Sequence, residues 1–153
     1  MQQRLVLDAT GYQVVFDNLV VSTDDYWYPH VSFYIALKPD LPIVEVARLA
    51  IATRDFIDLA KYLRHHLAQL FINDDFESPI FMSSEFSFQV QAFSGYVEEN
   101  ESGAFSFQFL LNIGNNKKIN PMNWQDTYIG GWTSVDVNKT KQFILDIETL
   151  LHP

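Results

Sequence analysis

Two runs of alternating phenylalanine and polar residues constrain the fold of this chain most strongly. The letters FSFQ occur at residues 86–89 and again at 105–108. In the runs 86–92 and 105–111 an apolar residue occupies every second position, which is the side-chain period of a β-strand with one buried face. The connecting segment 94–103 contains three glutamates and two glycines, which is typical of a hairpin with a solvated tip. The pattern therefore predicts two neighbouring antiparallel strands rather than two copies of a binding element.

Four apolar runs in the N-terminal third predict two further antiparallel pairs. The run 31–37 alternates strictly, and the run 41–53 follows it after a Lys-Pro-Asp turn. The runs 4–9 and 12–16 flank a Thr-Gly junction and predict a second hairpin. The N-terminal third is therefore expected to consist of strands.

A last strand is predicted at 127–137, where Gly130 and Gly131 interrupt the apolar pattern. Adjacent glycines inside a strand indicate a bulge or a close approach of another backbone segment. A phosphate-binding loop needs a longer glycine pattern followed by a basic residue. The glycine pair is therefore interpreted as structural.

Two segments follow the helical period and predict amphipathic helices over about 56–71 and 138–151. The apolar stripe of the first is Phe56, Leu59, Ala60, Leu63, Leu67, Leu70 and Phe71, and that of the second is Phe143, Ile144, Ile147, Leu150 and Leu151. Thr53 or Asp55 is expected to cap the first helix, and Asp136 or Asn138 the second. Because strands and helices do not alternate singly, the chain is predicted to be one α+β domain over 1–153. Both helices should pack on one face of a mainly antiparallel sheet.

Composition and charge exclude several classes of function. The chain has no cysteine, so disulfides, zinc-thiolate centres and thiol catalysis are excluded. Nineteen acidic against ten basic side chains give a formal net charge of -9, which repels nucleic acids and anionic lipids. Nucleotide-binding, metalloprotease and hydrolase signature motifs are absent from the sequence. The chain is therefore expected to have no cofactor and no catalytic activity.

The apolar runs are too short for a secretion signal or a membrane span. Only three consecutive apolar residues precede Asp8. The most apolar stretch, 41–52, is interrupted by Glu45 and Arg48, and crossing a bilayer takes about 20 apolar residues. We therefore expect a cytoplasmic protein that does not interact with membranes.

Histidines and acidic clusters offer little support for a metal site. His65 and His66 are adjacent in the predicted helix, so their side chains point about 100° apart and cannot chelate one ion together. We predict that both face solvent. The acidic clusters at 24–25, 74–77 and 98–101 lie in predicted loops, where carboxylates are ordinarily solvated. No metal ligands and no catalytic residues are therefore predicted.

The segment TDDYWYPH at 23–30 is the strongest candidate for a partner-binding surface. It places three aromatic residues beside two acids, a combination that suits an interface anchor. The alternative is that these aromatic rings complete the core. With the acidic segment of the predicted hairpin, the candidate contact residues are Asp24, Asp25, Tyr26, Trp27, Tyr28, His30, Glu98, Glu99 and Glu101.

Three segments also follow the pattern of a known family: PIFMSSEFSFQV at 79–90, AFSFQFLLNI at 104–113 and KQFILDIETLL at 141–151. Together with the first helix, over residues 31–151, they resemble bacterial toxin-immunity proteins of the WapI-associated type. The resemblance implies an inhibitor that binds and neutralises a cognate toxin without catalysis. A basic toxin would be attracted by the acidic charge of this chain.

A second hypothesis is a domain that binds a small ligand in an aromatic pocket. Its predicted lining comes from some of the residues Phe86, Phe88, Phe105, Phe107 and Trp132. A third hypothesis is a hydrolase. It would need a convergent set of titratable groups, which the sequence pattern does not supply.

Overall fold

The structure, a computed structural model, describes residues 3–19, 30–37, 41–114 and 126–151. In chain order its elements are β1 (Gln3–Asp8), β2 (Gln13–Leu19), β3 (His30–Leu37), β4 (Leu41–Ala50), α1 (Thr53–Ile72), β5 (Phe81–Met82), β6 (Phe88–Val97), β7 (Gly103–Asn112), β8 (Tyr128–Asp136) and α2 (Val137–Leu151). The predicted α+β class is confirmed.

The strands form two antiparallel sheets of four strands each, and two helices pack against them. The first sheet has the order β1-β2-β3-β4 and the second the order β5-β6-β7-β8. The predicted pairings of β1 with β2, of β3 with β4 and of β6 with β7 are all present. Each sheet is followed by one helix, so the described part of the chain forms two successive ββββα units.

The two FSFQ stretches have different conformations. The second lies within β7, where Phe105 and Phe107 face the core. In the first, Phe86 precedes the strand with φ 55° and is largely exposed. The Phe86 carbonyl accepts hydrogen bonds from the Asn112 side chain at 3.0 Å and from the Tyr128 hydroxyl at 2.9 Å. These contacts hold Phe86 in a turn, so the prediction that the strand begins there is wrong.

Both helices begin with aspartate contacts. The Asp55 carboxylate accepts hydrogen bonds from the Ala52 N–H at 2.9 Å and from the Ser84 N–H at 2.8 Å. It therefore joins the start of α1 to the turn between β5 and β6. At the start of α2, the Asp136 carboxylate accepts from the Asn138 and Lys139 N–H groups, which confirms the predicted cap.

A cluster of five phenylalanines joins both sheets and both helices. The Phe16 ring of β2 has its centroid 5.2 Å from that of Phe56 in α1 and 5.6 Å from that of Phe88 in β6. The same ring also lies 6.1 Å from Phe109 in β7 and 6.5 Å from Phe143 in α2. All five side chains are almost completely buried. The two ββββα units therefore share one hydrophobic core.

The glycine pair of β8 allows close packing on both sides of the strand. A Cβ atom on Gly130 would lie 1.8 Å from the Phe109 carbonyl oxygen. Pairing between β7 and β8 continues without a register shift through Gly130 and Gly131. The pair thus permits a close backbone approach and not a bulge. On the core side the Tyr12 hydroxyl donates to the Gly131 carbonyl at 2.6 Å and accepts from the Phe109 N–H at 3.2 Å.

We expect Tyr12→Phe to destabilise the protein by about 1–3 kcal/mol, because the buried Phe109 N–H loses the acceptor that Tyr12 provides. Burial raises the pKa of the Tyr12 hydroxyl, which therefore stays protonated and can donate to the Gly131 carbonyl. Urea unfolding monitored by circular dichroism measures the loss. Tyr96→Phe is the matched control, since Tyr96 is half exposed and its change should stay within about 0.5 kcal/mol. Equal midpoints for the two variants would contradict this role of Tyr12.

Candidate functional site

The two helices lie side by side and leave an open groove on their outer surface. They run antiparallel, because Arg64 of α1 forms an ion pair with Glu148 near the end of α2, whereas Lys141 near its start lies beside the end of α1. Three depressions of about 520, 430 and 400 Å³ follow this contact and share lining residues. We call this surface the helix-side groove, and its central residues are Arg64, Leu67, Phe71, Ile72, Glu99, Glu101, Lys141 and Leu145.

One end of the helix-side groove exposes large apolar side chains. Phe71 is 58% exposed and Ile72 is 77% exposed. Both follow Leu70, the last buried residue of α1, and each successive residue turns about 100° around the helix. The backbone geometry therefore points them away from the core, and the prediction that Phe71 belongs to the buried stripe is wrong. Leu145, 51% exposed, follows buried Ile144 in the same way.

The tip of the β6–β7 hairpin lies beside this apolar end. The tip closes with hydrogen bonds from Glu98 N–H to the Ser102 carbonyl and from Glu101 N–H to the Glu98 carbonyl, both 2.8 Å. Glu101 and Gly103 adopt positive φ angles of 64° and 151°, which allow the tight reversal. Glu99 and Glu101 consequently line the same depression as Phe71 and Ile72.

The charges of the groove are only partly neutralised. Lys141 contacts Glu101 at 2.9 Å, and Arg64 contacts Glu148. Among the described residues, the Glu98 carboxylate accepts a hydrogen bond from the Ser102 hydroxyl at 2.9 Å and forms no ion pair. Glu99 is exposed and forms no hydrogen bond or ion pair with the part of the chain that the structure describes. The tip is therefore a negatively charged margin next to an apolar surface.

The predicted contact residues separate into two groups. The structure brings Glu99 and Glu101 to the end of the helix-side groove, with Glu98 adjacent to them on the tip. Asp24, Asp25, Tyr26, Trp27 and Tyr28 lie outside the described residues. His30 is the first residue of β3, and its side chain is likewise outside the description. Of the nine predicted contact residues, the structure therefore places the side chains of the three glutamates on the hairpin tip.

The adjacent histidines occupy different environments. His65 is exposed, as predicted, but His66 is completely buried. The His66 Nδ1 atom lies 2.8 Å from the Ser78 hydroxyl oxygen, and the ring packs 4.8 Å from that of Phe105. The prediction that both histidines face solvent is therefore wrong for His66. Within the described ranges, no group of three or more histidines and acids is arranged to hold a metal ion.

The five aromatic residues named as candidates for a pocket lining lie in two different environments. Phe88, Phe105 and Phe107 are buried on the core side of the second sheet. Phe86 and Trp132 are exposed outside that core. Phe88 stacks on Phe109 with centroids 5.3 Å apart, so its surface is occupied by other core side chains.

Sequence patterns did not predict the apolar end of the helix-side groove. Phe71 and Ile72 precede the polar run Asn73-Asp74-Asp75 and resemble the end of a buried stripe. A usable signal is that three consecutive residues from Leu70 onward are apolar, although one helix face can bury only part of such a run. A comparable signal exists at Ile144 and Leu145.

Neither helix of the described chain combines the length and apolar character needed to span a membrane. Comparison with known protein families, with curated proteins and with solved structures finds no match to this chain.

Proposed function

We propose that this protein is a cytoplasmic binding module that neutralises a basic protein partner by occupying its surface, without catalysis. The observation that carries the proposal is the position of exposed Phe71 and Ile72 directly beside the acidic hairpin tip. An apolar anchor with a negatively charged margin fits a partner whose own apolar patch is bordered by lysines or arginines.

The apolar end of the groove would supply the hydrophobic anchor of the complex. Complete burial of a phenylalanine or isoleucine side chain contributes about 1.5–3 kcal/mol. Because Phe71 and Ile72 are already partly covered, their joint contribution is smaller, roughly 2–4 kcal/mol. Covering both side chains therefore strengthens binding by roughly 30- to 700-fold, and the rest of the contact surface has to supply the remaining free energy of association.

The acidic tip would mainly control recognition and the rate of association. Glu98 and Glu99 extend the overall negative charge of -9 to the edge of the binding surface. Complementary potentials accelerate encounter and disfavour acidic competitors, and this effect weakens as salt increases. Salt-sensitive association is thus a direct consequence of the proposed site.

The resemblance to WapI-associated immunity proteins supports a toxin as the partner. Proteins that act on nucleic acids carry positively charged clefts, which an acidic inhibitor can cover. Asp24, Asp25, Tyr26, Trp27, Tyr28 and His30 stay predicted contributors to partner binding. The proposed partner is therefore a basic toxin encoded beside this chain.

The proposal is tested by measuring binding of the protein encoded by the adjacent reading frame. We expect the double variant Phe71→Ser/Ile72→Ser to weaken binding at least tenfold, because it removes the apolar anchor. We expect Glu98→Gln/Glu99→Gln to slow association and to reduce the difference between about 50 mM and 500 mM salt. Surface plasmon resonance at both salt concentrations measures both effects.

Matched controls lie elsewhere on the surface. Ile80→Ser replaces a side chain that is 58% exposed outside the groove, and Glu77→Gln removes an exposed acid away from the tip. Both controls should bind like the unmodified protein. Absence of binding at low salt, or equal effects of groove and control variants, would overturn the proposal.

A further inference from the structure

The outer face of the second sheet is almost free of charge, although the protein carries a formal net charge of -9. Strands β6, β7 and β8 contain one charged residue, Asp136, at the last position of β8. Across these strands Gln91, Gln108 and Trp132 are paired in one row. We call this surface the Trp132 face, and its residues are Gln89, Gln91, Phe93, Gln108, Leu110 and Trp132.

Trp132 forms a flat aromatic platform on this face. Its ring lies parallel to that of Phe93, with centroids 4.3 Å apart and an angle of 8° between the planes. Phe93 is 8% exposed whereas Trp132 is 63% exposed, so one side of the indole is held and the other faces solvent. On the same strand the outward neighbours of Trp132 are Gly130 and Ser134, which leave space around the ring.

Amide groups flank the platform. Gln108 is directly opposite Trp132, about 5 Å away at the usual spacing of paired strands, and its side chain forms no hydrogen bond with the described residues. The Gln91 amide nitrogen donates to the Ser78 carbonyl at 3.2 Å, which leaves its oxygen available. Gln89, Gln91 and Gln108 also line a depression of about 70 Å³ beside Leu110.

We propose that the Trp132 face binds a neutral oligosaccharide. A pyranose ring presents C–H groups on one side, which suit the electron-rich face of an indole. The hydroxyls at its rim can donate to and accept from glutamine amides. An uncharged ligand also matches the six residues that define the Trp132 face, which include neither a cation for phosphate nor an anion for a basic group. Ser106 and Ser134, a cross-strand pair two positions from Gln108 and Trp132, fit a hydroxyl-rich ligand better than a protein interface, where serine is depleted.

The proposal predicts saturable, salt-independent binding of uncharged hexasaccharides. Three hexasaccharides are titrated into ¹⁵N-labelled protein: two glucose hexamers that differ in their linkage, and one hexamer of N-acetylglucosamine. Binding is followed by the change in amide chemical shifts. Because the site is open, we expect a dissociation constant in the millimolar range for at least one of them. Trp132→Ala should weaken that binding at least tenfold and Gln108→Ala about threefold. Phe71→Ser, in the helix-side groove, should leave it unchanged.

Circular dichroism establishes that each variant retains the fold. The absence of saturable shifts with every hexasaccharide, or full binding by folded Trp132→Ala, would overturn the proposal. Sedimentation of the unmodified protein provides a second test. Self-association that Trp132→Ala abolishes would assign the face to a second copy of the chain and would also overturn the saccharide proposal.

Discussion

Phe16→Ala is expected to lower the free energy of unfolding by about 3–5 kcal/mol. The Phe16 ring is completely buried and contacts one phenylalanine from each of two helices and two strands of the other sheet. Its removal leaves a cavity at the point where the two ββββα units meet, and stability falls with the volume of such a cavity. Equilibrium unfolding in urea measures the loss.

Two variants show whether this effect depends on position. Phe71→Ala removes the same atoms from a site that is 58% exposed, and its effect should stay within about 0.5 kcal/mol. Phe16→Leu keeps much of the volume and should cost clearly less than Phe16→Ala. If Phe16→Ala were no more destabilising than Phe71→Ala, the two units would not share the core described above.

Strand periodicity predicted most of the second sheet because its strands bury one face. Phe105, Phe107 and Phe109 all face the core, as their common parity requires. Parity does not specify which strands share a sheet, so the division into two sheets could not be predicted. Phe86 kept the parity of β6 but lies in a turn, because its carbonyl is held by side chains distant in sequence.

The helical periodicity of α1 indicates that His66 is buried, although its polar side chain suggests an exposed position. Leu59, Leu63, His66 and Leu70 follow one another at four, three and four positions, which places His66 on the buried stripe. A polar side chain is usually expected on the protein surface. The residue that forms a hydrogen bond with the buried His66 ring is Ser78, which lies outside the helix. The acidic tip was predictable from local composition, whereas its position beside Phe71 depends on the tertiary packing of α1 with the β6–β7 hairpin.

The arrangement of the two units explains why the helices offer a surface for binding. α1 packs against β6 of the second sheet, and α2 packs against β1 of the first. α2 also packs against β7 and β8 of its own unit, so each helix contacts the sheet of the other unit while its opposite side faces outward. Among the described residues, the tip of the β6–β7 hairpin borders the groove at one end, so the acidic margin lies at that end.

Stability is expected to fall by about 3 kcal/mol as the pH decreases from 6.5 to 4, through protonation linked to His66. Burial lowers the pKa of His66 from 6.5 to about 4, against a smaller opposing contribution from the Phe93 backbone. In the unfolded chain the imidazole binds a proton near pH 6.5, so unfolding takes up a proton between these values. The contribution of the neutral, buried His66 ring to stability is therefore fully present above pH 6.5 and is lost progressively down to about pH 4.

Urea unfolding at several pH values separates this contribution from that of the carboxylates. His66→Gln removes the titrating ring, so the difference in stability between it and the unmodified protein should change by about 1.4 kcal/mol per pH unit within this window. His65→Gln is the matched control, because His65 is exposed on the same turn of α1 and its variant should keep the original pH profile. A constant difference between the unmodified protein and His66→Gln from pH 7 to pH 4 would show that His66 titrates alike in both states. In that case the burial of a neutral imidazole between Ser78 and Phe105 could not be correct.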